Sequence, residues 1–246
     1  MKQHEVVFKV LKELGGYATF ADLYKAVLDD PMFVYETKTP RETIRRIVQD
    51  GERKKVTFRL RPGIWGLQSE KERIPPELYG KARNPELQKT SDHSLYQGMW
   101  LEIGRARDFR TYVPAQDRKR MFLNTPLGSL SDLDRLLPFS YEESIQRAST
   151  VDVVWFNRRN MPAAFIEVEN STDFQNSLGK FTDLQDFYAD FFIVAPSDKE
   201  QAFHKKLSIS AYETIRHRVQ FRSYEATGTL HARSSEFREF ALLGKA

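Results

Sequence analysis

The chain has 246 residues, 40 % of them hydrophobic, a net charge of +4 and no cysteine. That length supplies one large core or two smaller ones, and the missing cysteines exclude a disulfide framework and a thiolate metal site. No apolar run reaches the roughly 18 residues a membrane helix needs, and MKQHEVVFKV has no apolar signal-peptide core, so a soluble cytoplasmic protein with no membrane partner is expected.

The first stretch, EVVFKVLKELGG, sets Val6, Val7, Val10, Leu11 and Leu14 at helical spacing, and Gly15-Gly16 stops the helix. In TFADLYKAVLDD, Thr19 is an N-cap with Asp22 three residues on, and Leu23, Ala26 and Val27 form the buried stripe. TPRETIRRIVQDG opens with Thr39 as N-cap, Pro40 at the first position and Glu42 completing a capping box; Ile44, Ile47 and Val48 face inward. In KVTFRLRPGIWGL, Val56, Phe58 and Leu60 alternate with polar residues as a half-buried strand, Pro62-Gly63 turns, and Ile64–Leu67 returns. Three short helices and a hairpin over residues 1–67 predict a winged helix-turn-helix, whose third helix enters the major groove.

The charge is concentrated there. Between Lys38 and Leu67 stand nine Lys or Arg against Glu42, Asp50 and Glu52. Arg41, Arg45 and Arg46 lie on the third helix, and Lys54, Lys55, Arg59 and Arg61 on or beside the wing. Those seven residues are the expected contacts to duplex DNA. A solvated charged face, or a winged helix used for protein contacts, is the blander explanation. VLKELGGYATFADLYKAV, KTPRETIRRIVQDG and FRLRPGIWGL also resemble the HARE-HTH family of winged helices over residues 3–67. That family is associated with chromatin and restriction systems and with proposed sensing of modified bases. YETKTP departs from its pattern by lacking a glycine before Lys-Thr-Pro.

Residues 68–92 are charged, carry three prolines and show little periodicity, so a linker with one short helix is expected. From residue 93 to 246 a second, α/β domain follows. HSLYQGMWLEIGRARDF is a helix, RTYVPAQD a short strand and SYEESIQRA a helix. VDVVWF and AAFIEV are apolar strands, DFQNSLGKFTDLQDFY a helix, and ADFFIVAP a strand apolar on both faces. DKEQAFHKKLSISAYETIR is a further helix and VQFRSY the last strand, which together predict a mixed sheet.

Three carboxylates flank the two apolar strands. With NRRN as the hairpin turn, Asp152 falls opposite Glu167, and cross-strand partners stand about 5 Å apart. Glu169 shares the face of Glu167, because strand side chains alternate. Acids this close repel and raise each other's pKa unless a cation neutralises them. Mg²⁺, for which Mn²⁺ can substitute, takes oxygen ligands and keeps waters beside a substrate phosphate, so the cluster points to phosphodiester hydrolysis.

These residues resemble the PD-(D/E)xK nuclease superfamily, whose signature is an acid on the second strand and (D/E)xK on the third. Asp152 matches the first acid and Glu167 the second, while Glu169 stands where the lysine belongs. The resemblance implies a restriction-endonuclease-like domain in which Asp152, Glu167 and the Val168 carbonyl hold Mg²⁺. Glu169 assists the metal or orients water, and Glu102 supplies the acid of the first helix. Lys180 is the candidate for a lysine moved to the following helix, although solvated helix surface is its ordinary expectation. The expectation is thus a metal-dependent DNA endonuclease acting as a homodimer, with base modification a possible determinant. The alternative is a DNA-binding regulator or scaffold on an inactive nuclease fold.

Overall fold

In a computed structural model, described for residues 2–34, 38–80 and 84–243 and for side chains as far as 236, the chain divides into two units. One comprises residues 1–88 and 228–246, the other 89–227. No helix among the described residues is long and apolar enough to cross a membrane.

The first unit runs α1 (Gln3–Glu13), β1 (Tyr17–Thr19), α2 (Phe20–Asp29), α3 (Pro40–Arg53), β2 (Thr57–Arg61) and β3 (Ile64–Leu67). The strands form an antiparallel sheet ordered β1-β3-β2. Val6, Val7, Val10 and Leu11 of α1 pack with Leu23 and Val27 of α2 and Ile44 and Val48 of α3, as helical spacing requires. Gly16 has φ +85°, and a β-carbon there would meet Glu70 Cβ at 2.5 Å, so only glycine fits this helix stop. Thr19 caps α2 by accepting from the Asp22 amide at 3.1 Å. Thr39 does precede Pro40, yet its side chain makes no cap bond to α3, so the capping box expected with Glu42 is not formed. The glycine-less YETKTP departure falls partly on residues 35–37, outside the described residues.

Strand β2 also differs from its expected phase. Thr57 is buried and donates to the Val48 carbonyl at 2.6 Å, while Val56 is exposed. A bulge between Arg59 and Arg61 shifts the inward phase by one residue, so Leu60 is buried and Phe58 stacks on Tyr79 instead. Residues 68–92 hold two 3₁₀ helices (Gln68–Arg73 and Pro76–Tyr79) and the start of α4 (Pro85–Ala106); 81–83 lie outside the described residues.

After α4 come β4 (Arg110–Tyr112), β5 (Met121–Phe122), β6 (Thr125–Pro126), α5 (Leu127–Leu130) and α6 (Glu142–Ala148). Then follow β7 (Val153–Phe156), β8 (Pro162–Val168), α7 (Gln175–Asp183), β9 (Asp190–Ala195), α8 (Glu200–Leu207), β10 (Val219–Ser223) and α9 (Tyr224–Leu243). The expected mixed sheet has five strands ordered β10-β9-β8-β7-β4. The pairs β4–β7 and β7–β8 are antiparallel, β8–β9 and β9–β10 parallel.

One sheet face buries Val154, Phe156, Phe165, Phe191 and Ile193 against Phe174, Leu178 and Phe181 of α7 and Phe203 and Leu207 of α8. The other carries Trp155 and Phe192, which pack on Trp100 of α4 at 5.3 and 4.9 Å. Gly104 lets α4 approach: a β-carbon there would lie 2.6 Å from the Trp155 ring nitrogen. With helices on both faces, β9 is buried from Phe191 to Ala195, as its continuous apolar run implied. The helix expected from residue 198 to 216 stops at Leu207, since Ile209 is extended at ψ 140° and a 3₁₀ turn follows at Ser210–Tyr212; the serines on either side favour such a break. Helix α9 was not expected. Its Ala232 joins the core of the first unit.

Candidate active site

The ends of β7 and β8 sit where helices from both faces of the sheet arrive. Val153 pairs with Ile166 and Val154 with Phe165, which carries Asp152 opposite Glu167 as the hairpin argument required. A bulge between Trp155 and Phe156 shifts the register nearer the turn, leaving the acidic end in phase. Asp152 precedes β7 by one residue, so the pleat does not fix its side chain. Its Oδ2 accepts from the Val168 amide at 2.8 Å, and its own amide donates to Glu167 Oε1 at 3.3 Å.

Glu167 is 3 % exposed. Lys180, from α7, donates to both of its carboxylate oxygens at 2.9 Å and to the Thr150 carbonyl at 2.7 Å. Lys180 is itself buried, which corrects the expectation of a solvated helix surface. A hydrophobic stripe of Leu178 and Phe181 turns α7 onto the sheet, and the register of that stripe carries Lys180 under Glu167. Ser177, one turn earlier, sets its Oγ 3.1 Å from Glu167 Oε2 and also within hydrogen-bond reach of Glu169 Oε1, so both glutamates of ExE share one hydroxyl. Burial, with the Asp152 charge, pushes the Glu167 carboxyl up to about 8, against the pull of Lys180. Burial likewise raises Glu169, opposed by its bond from Ser177.

On the α4 side, His93 Nε2 lies 3.0 Å from Asp152 Oδ2 and Nδ1 lies 3.1 Å from Gln97 Oε1. Gln97 is fully buried and donates to Asp117 Oδ2 at 2.9 Å and to the Asp152 carbonyl at 3.2 Å. Arg120 stands 3.0 Å from Asp117 Oδ1. Burial disfavours the charged imidazole, but attraction by Asp152 and a hydrogen bond donated to it outweigh this, and the pKa of His93 is raised. Ligand atoms of His93, Asp117 and Asp152 all lie within 4.8 Å of one another, a spacing open to a metal ion.

Sequence reasoning passed over His93, Gln97, Asp117 and Ser177. His93 and Gln97 are four apart on a helix, hence on one face; that spacing was the available signal. Glu102 sits on α4 five residues past Gln97, about 140° round the helix, which turns it off that face. Of the seven expected DNA contacts, Arg46, Lys54, Lys55 and Arg59 are exposed, whereas Arg41, Arg45 and Arg61 are half-buried. Arg41 donates to the Ser235 carbonyl and Arg45 pairs with Glu236 at 3.0 Å, both on α9. Arg61 lies against Gly80, where a β-carbon would be 2.6 Å from its Nη1.

Comparison with known proteins bears on the same residues. The chain is 24 % identical over 140 residues to the type II restriction enzyme NmeDI of Neisseria meningitidis serogroup C, an alignment covering 53 % of this chain and 39 % of that protein. The chain thus spans about two fifths of the length of the curated relative it matches. No solved structure matches it. The family model describing the C-terminal domain of type II restriction enzyme NmeDI matches residues 73–241, more than half of the chain and every residue of the cluster around Asp152, and to that family this chain belongs.

Proposed function

We propose that the protein is a metal-dependent DNA endonuclease of the restriction type, with its centre at Asp152, Glu167, Glu169 and Lys180. The observation that carries this reading is the meeting of two strand-end acids with a buried lysine from the next helix, as the PD-(D/E)xK pattern requires when its lysine is displaced. Glu169 holds the usual lysine position, and Lys180 supplies the missing charge at Glu167. That pairing argues against the inactive-scaffold alternative.

The donor set fits Mg²⁺, with Mn²⁺ able to substitute. The side chains of Asp152, Glu167 and Glu169 offer only oxygens at this point, and a carboxylate has about four lone-pair sites, so Glu167 can serve Lys180 and an ion together. Asp152, Glu167 and the Val168 carbonyl would hold the ion. When bound, such an ion polarises a phosphoryl oxygen and lowers the pKa of water. Lys180 keeps Glu167 in place and sets positive charge beside the acids. Ser177 ties Glu167 to Glu169, which leaves Glu169 placed to accept a proton from the attacking water. Residues 1–67 act as a winged helix-turn-helix of HARE-HTH type that grips duplex DNA, and the unit of residues 89–227 carries the chemistry. A homodimer then brings one centre to each strand.

Plasmid, methylated and unmethylated, incubated with the protein and Mg²⁺ tests this. Cleavage abolished by EDTA, and reduced by orders of magnitude in Asp152→Asn while gel shifts persist, is the expected result. Full cleavage in EDTA contradicts the metal. Cleavage confined to one methylation state would establish sensitivity to base modification.

A further inference from the structure

The α4 side of Asp152 holds groups for which phosphodiester hydrolysis at the acids and Lys180 gives no role. Gln97 fixes their chemistry. Its amide nitrogen faces two acceptors, Asp117 Oδ2 at 2.9 Å and the Asp152 carbonyl at 3.2 Å, so the NH₂ end must point there. Its oxygen therefore faces His93 Nδ1 at 3.1 Å, and this shorter contact sets the hydrogen on Nδ1 against the longer approach of the donor-only Arg120 Nη1 at 3.4 Å. The other ring nitrogen, Nε2, then points its lone pair at Asp152 Oδ2 from 3.0 Å. Two electron-rich atoms at that separation require a cation between or beside them, a second ring proton or a metal. A histidine whose remote N–H is held by a protein acceptor is the ordinary arrangement of a metal ligand.

We propose that His93, Asp117 and Asp152 form a three-ligand seat for a divalent first-row transition metal, held in register by the buried Gln97. The seat rests on the nuclease reading in that it shares Asp152 with the proposed Mg²⁺ centre. Its chemistry is different. An imidazole nitrogen favours transition metals over Mg²⁺, which takes oxygen ligands. Affinity should rise from Mn²⁺ to Co²⁺. Arg120, 3.0 Å from Asp117 Oδ1 and 3.4 Å from His93 Nδ1, is the resident cation the metal must displace from Asp117. Gln97 is a positioning residue: it touches no bound ion and acts through His93 and Asp117.

The test uses the full chain without DNA, titrated with Mn²⁺, Co²⁺ and Mg²⁺ by calorimetry and, with ¹⁵N-labelled histidine, by NMR. One histidine ring should shift far outside the diamagnetic range with Co²⁺. His93→Gln should abolish that shift and weaken Co²⁺ and Mn²⁺ binding at least tenfold, while Mg²⁺ affinity changes less than threefold. Gln97→Leu should weaken Co²⁺ binding about 10- to 100-fold with the shifted ring signal broadened. If His93→Gln fails to fold, Asp117→Asn serves, with the same loss expected for Co²⁺. The seat is overturned if Co²⁺ shifts no histidine ring, or if both variants bind Co²⁺ as the wild type does; His93 and Asp152 would then be a plain ion pair. DNA left intact with every metal, alongside His93-dependent Co²⁺ binding, would overturn the endonuclease reading and leave the seat. Full Mg²⁺-dependent cleavage with no His93-dependent binding would do the reverse.

Discussion

Glu167 has lysine on both oxygens and is almost wholly shielded from water. From the sequence, replacing it with glutamine relieves repulsion in an acidic cluster and leaves stability unchanged or higher. The position of Lys180 reverses that expectation. Above pH about 8, where the Glu167 carboxyl is ionised, Glu167→Gln strands a buried ammonium with the Thr150 carbonyl as its charge-free acceptor, and Lys180→Met strands a buried carboxylate. Each should lower stability by about 3–5 kcal/mol, the usual cost of breaking a buried ion pair from one side. The double variant should recover much of the loss, because neither charge is left alone. Denaturant melts of the three variants check this; additive losses would show that the pair is not coupled.

The same carboxyl gives a pH prediction. Its folded pKa of about 8 stands above its ordinary value of 4.5, so the folded state holds a proton that the unfolded state releases. The stability it contributes is full below pH about 4.5 and is lost as pH rises through about 8. Glu169 and His93, both raised, act in the same sense within that window. Metal-free protein should therefore melt at a lower temperature at pH 8 than at pH 5.5, and Glu167→Gln should reduce that difference. A melting temperature that climbs with pH and is indifferent to the substitution would refute the assignment.

At the scale of elements, α3 and α9 decide which basic residues are available. Glu236 accepts from Tyr24 at 2.9 Å and pairs with Arg45, while Arg41 serves the Ser235 carbonyl and lies 5.9 Å from the Tyr24 ring centroid. Burial and the Glu236 charge raise the Tyr24 phenol well above its ordinary value, so it stays a donor. Two arginines of the expected recognition helix are thus engaged inside their own unit. Arg46 and Arg59 are exposed. Replacing both with alanine should flatten the slope of log affinity against log salt by one to two units, about 0.9 for each phosphate no longer neutralised. Arg45→Ala should act first on stability. Fluorescence anisotropy across a salt series and thermal melts separate the two effects, and an unchanged slope in the Arg46/Arg59 variant would move DNA binding off this unit.

For the whole molecule, cutting both strands at one site in one binding event calls for two centres, and the described residues hold one such cluster, around Asp152. Light scattering should report twice the 28.7 kDa chain mass plus that of one duplex when the protein is bound to a cleavable duplex, and linear plasmid should appear without long-lived nicked circles. A monomer that yields nicked circles alone would contradict the dimer.

What the sequence determined by itself is whatever depends on local period and turn chemistry. Helical spacing located α1, α2, α3 and α7. The continuous apolar run gave β9, and the NRRN turn placed Asp152 opposite Glu167, since register follows from counting outward from a hairpin. Local pattern also misled at two places: Thr57 rather than Val56 turns inward ahead of the bulge in β2, and α8 stops short at its serines. Tertiary structure decided the rest. Lys180 reads as helix surface until β8 lies beside it, and Asp117 and Asp152 look unrelated to His93 and Gln97 until α4 lies across the sheet end. Arg41 and Arg45 read as free cations until α9 returns to them. The physical reason is the same each time. Period reports which face of an element is buried, but the charge or hydrogen-bond partner of a buried polar group comes from whichever segment packs there. That segment is set by the closing of the whole core.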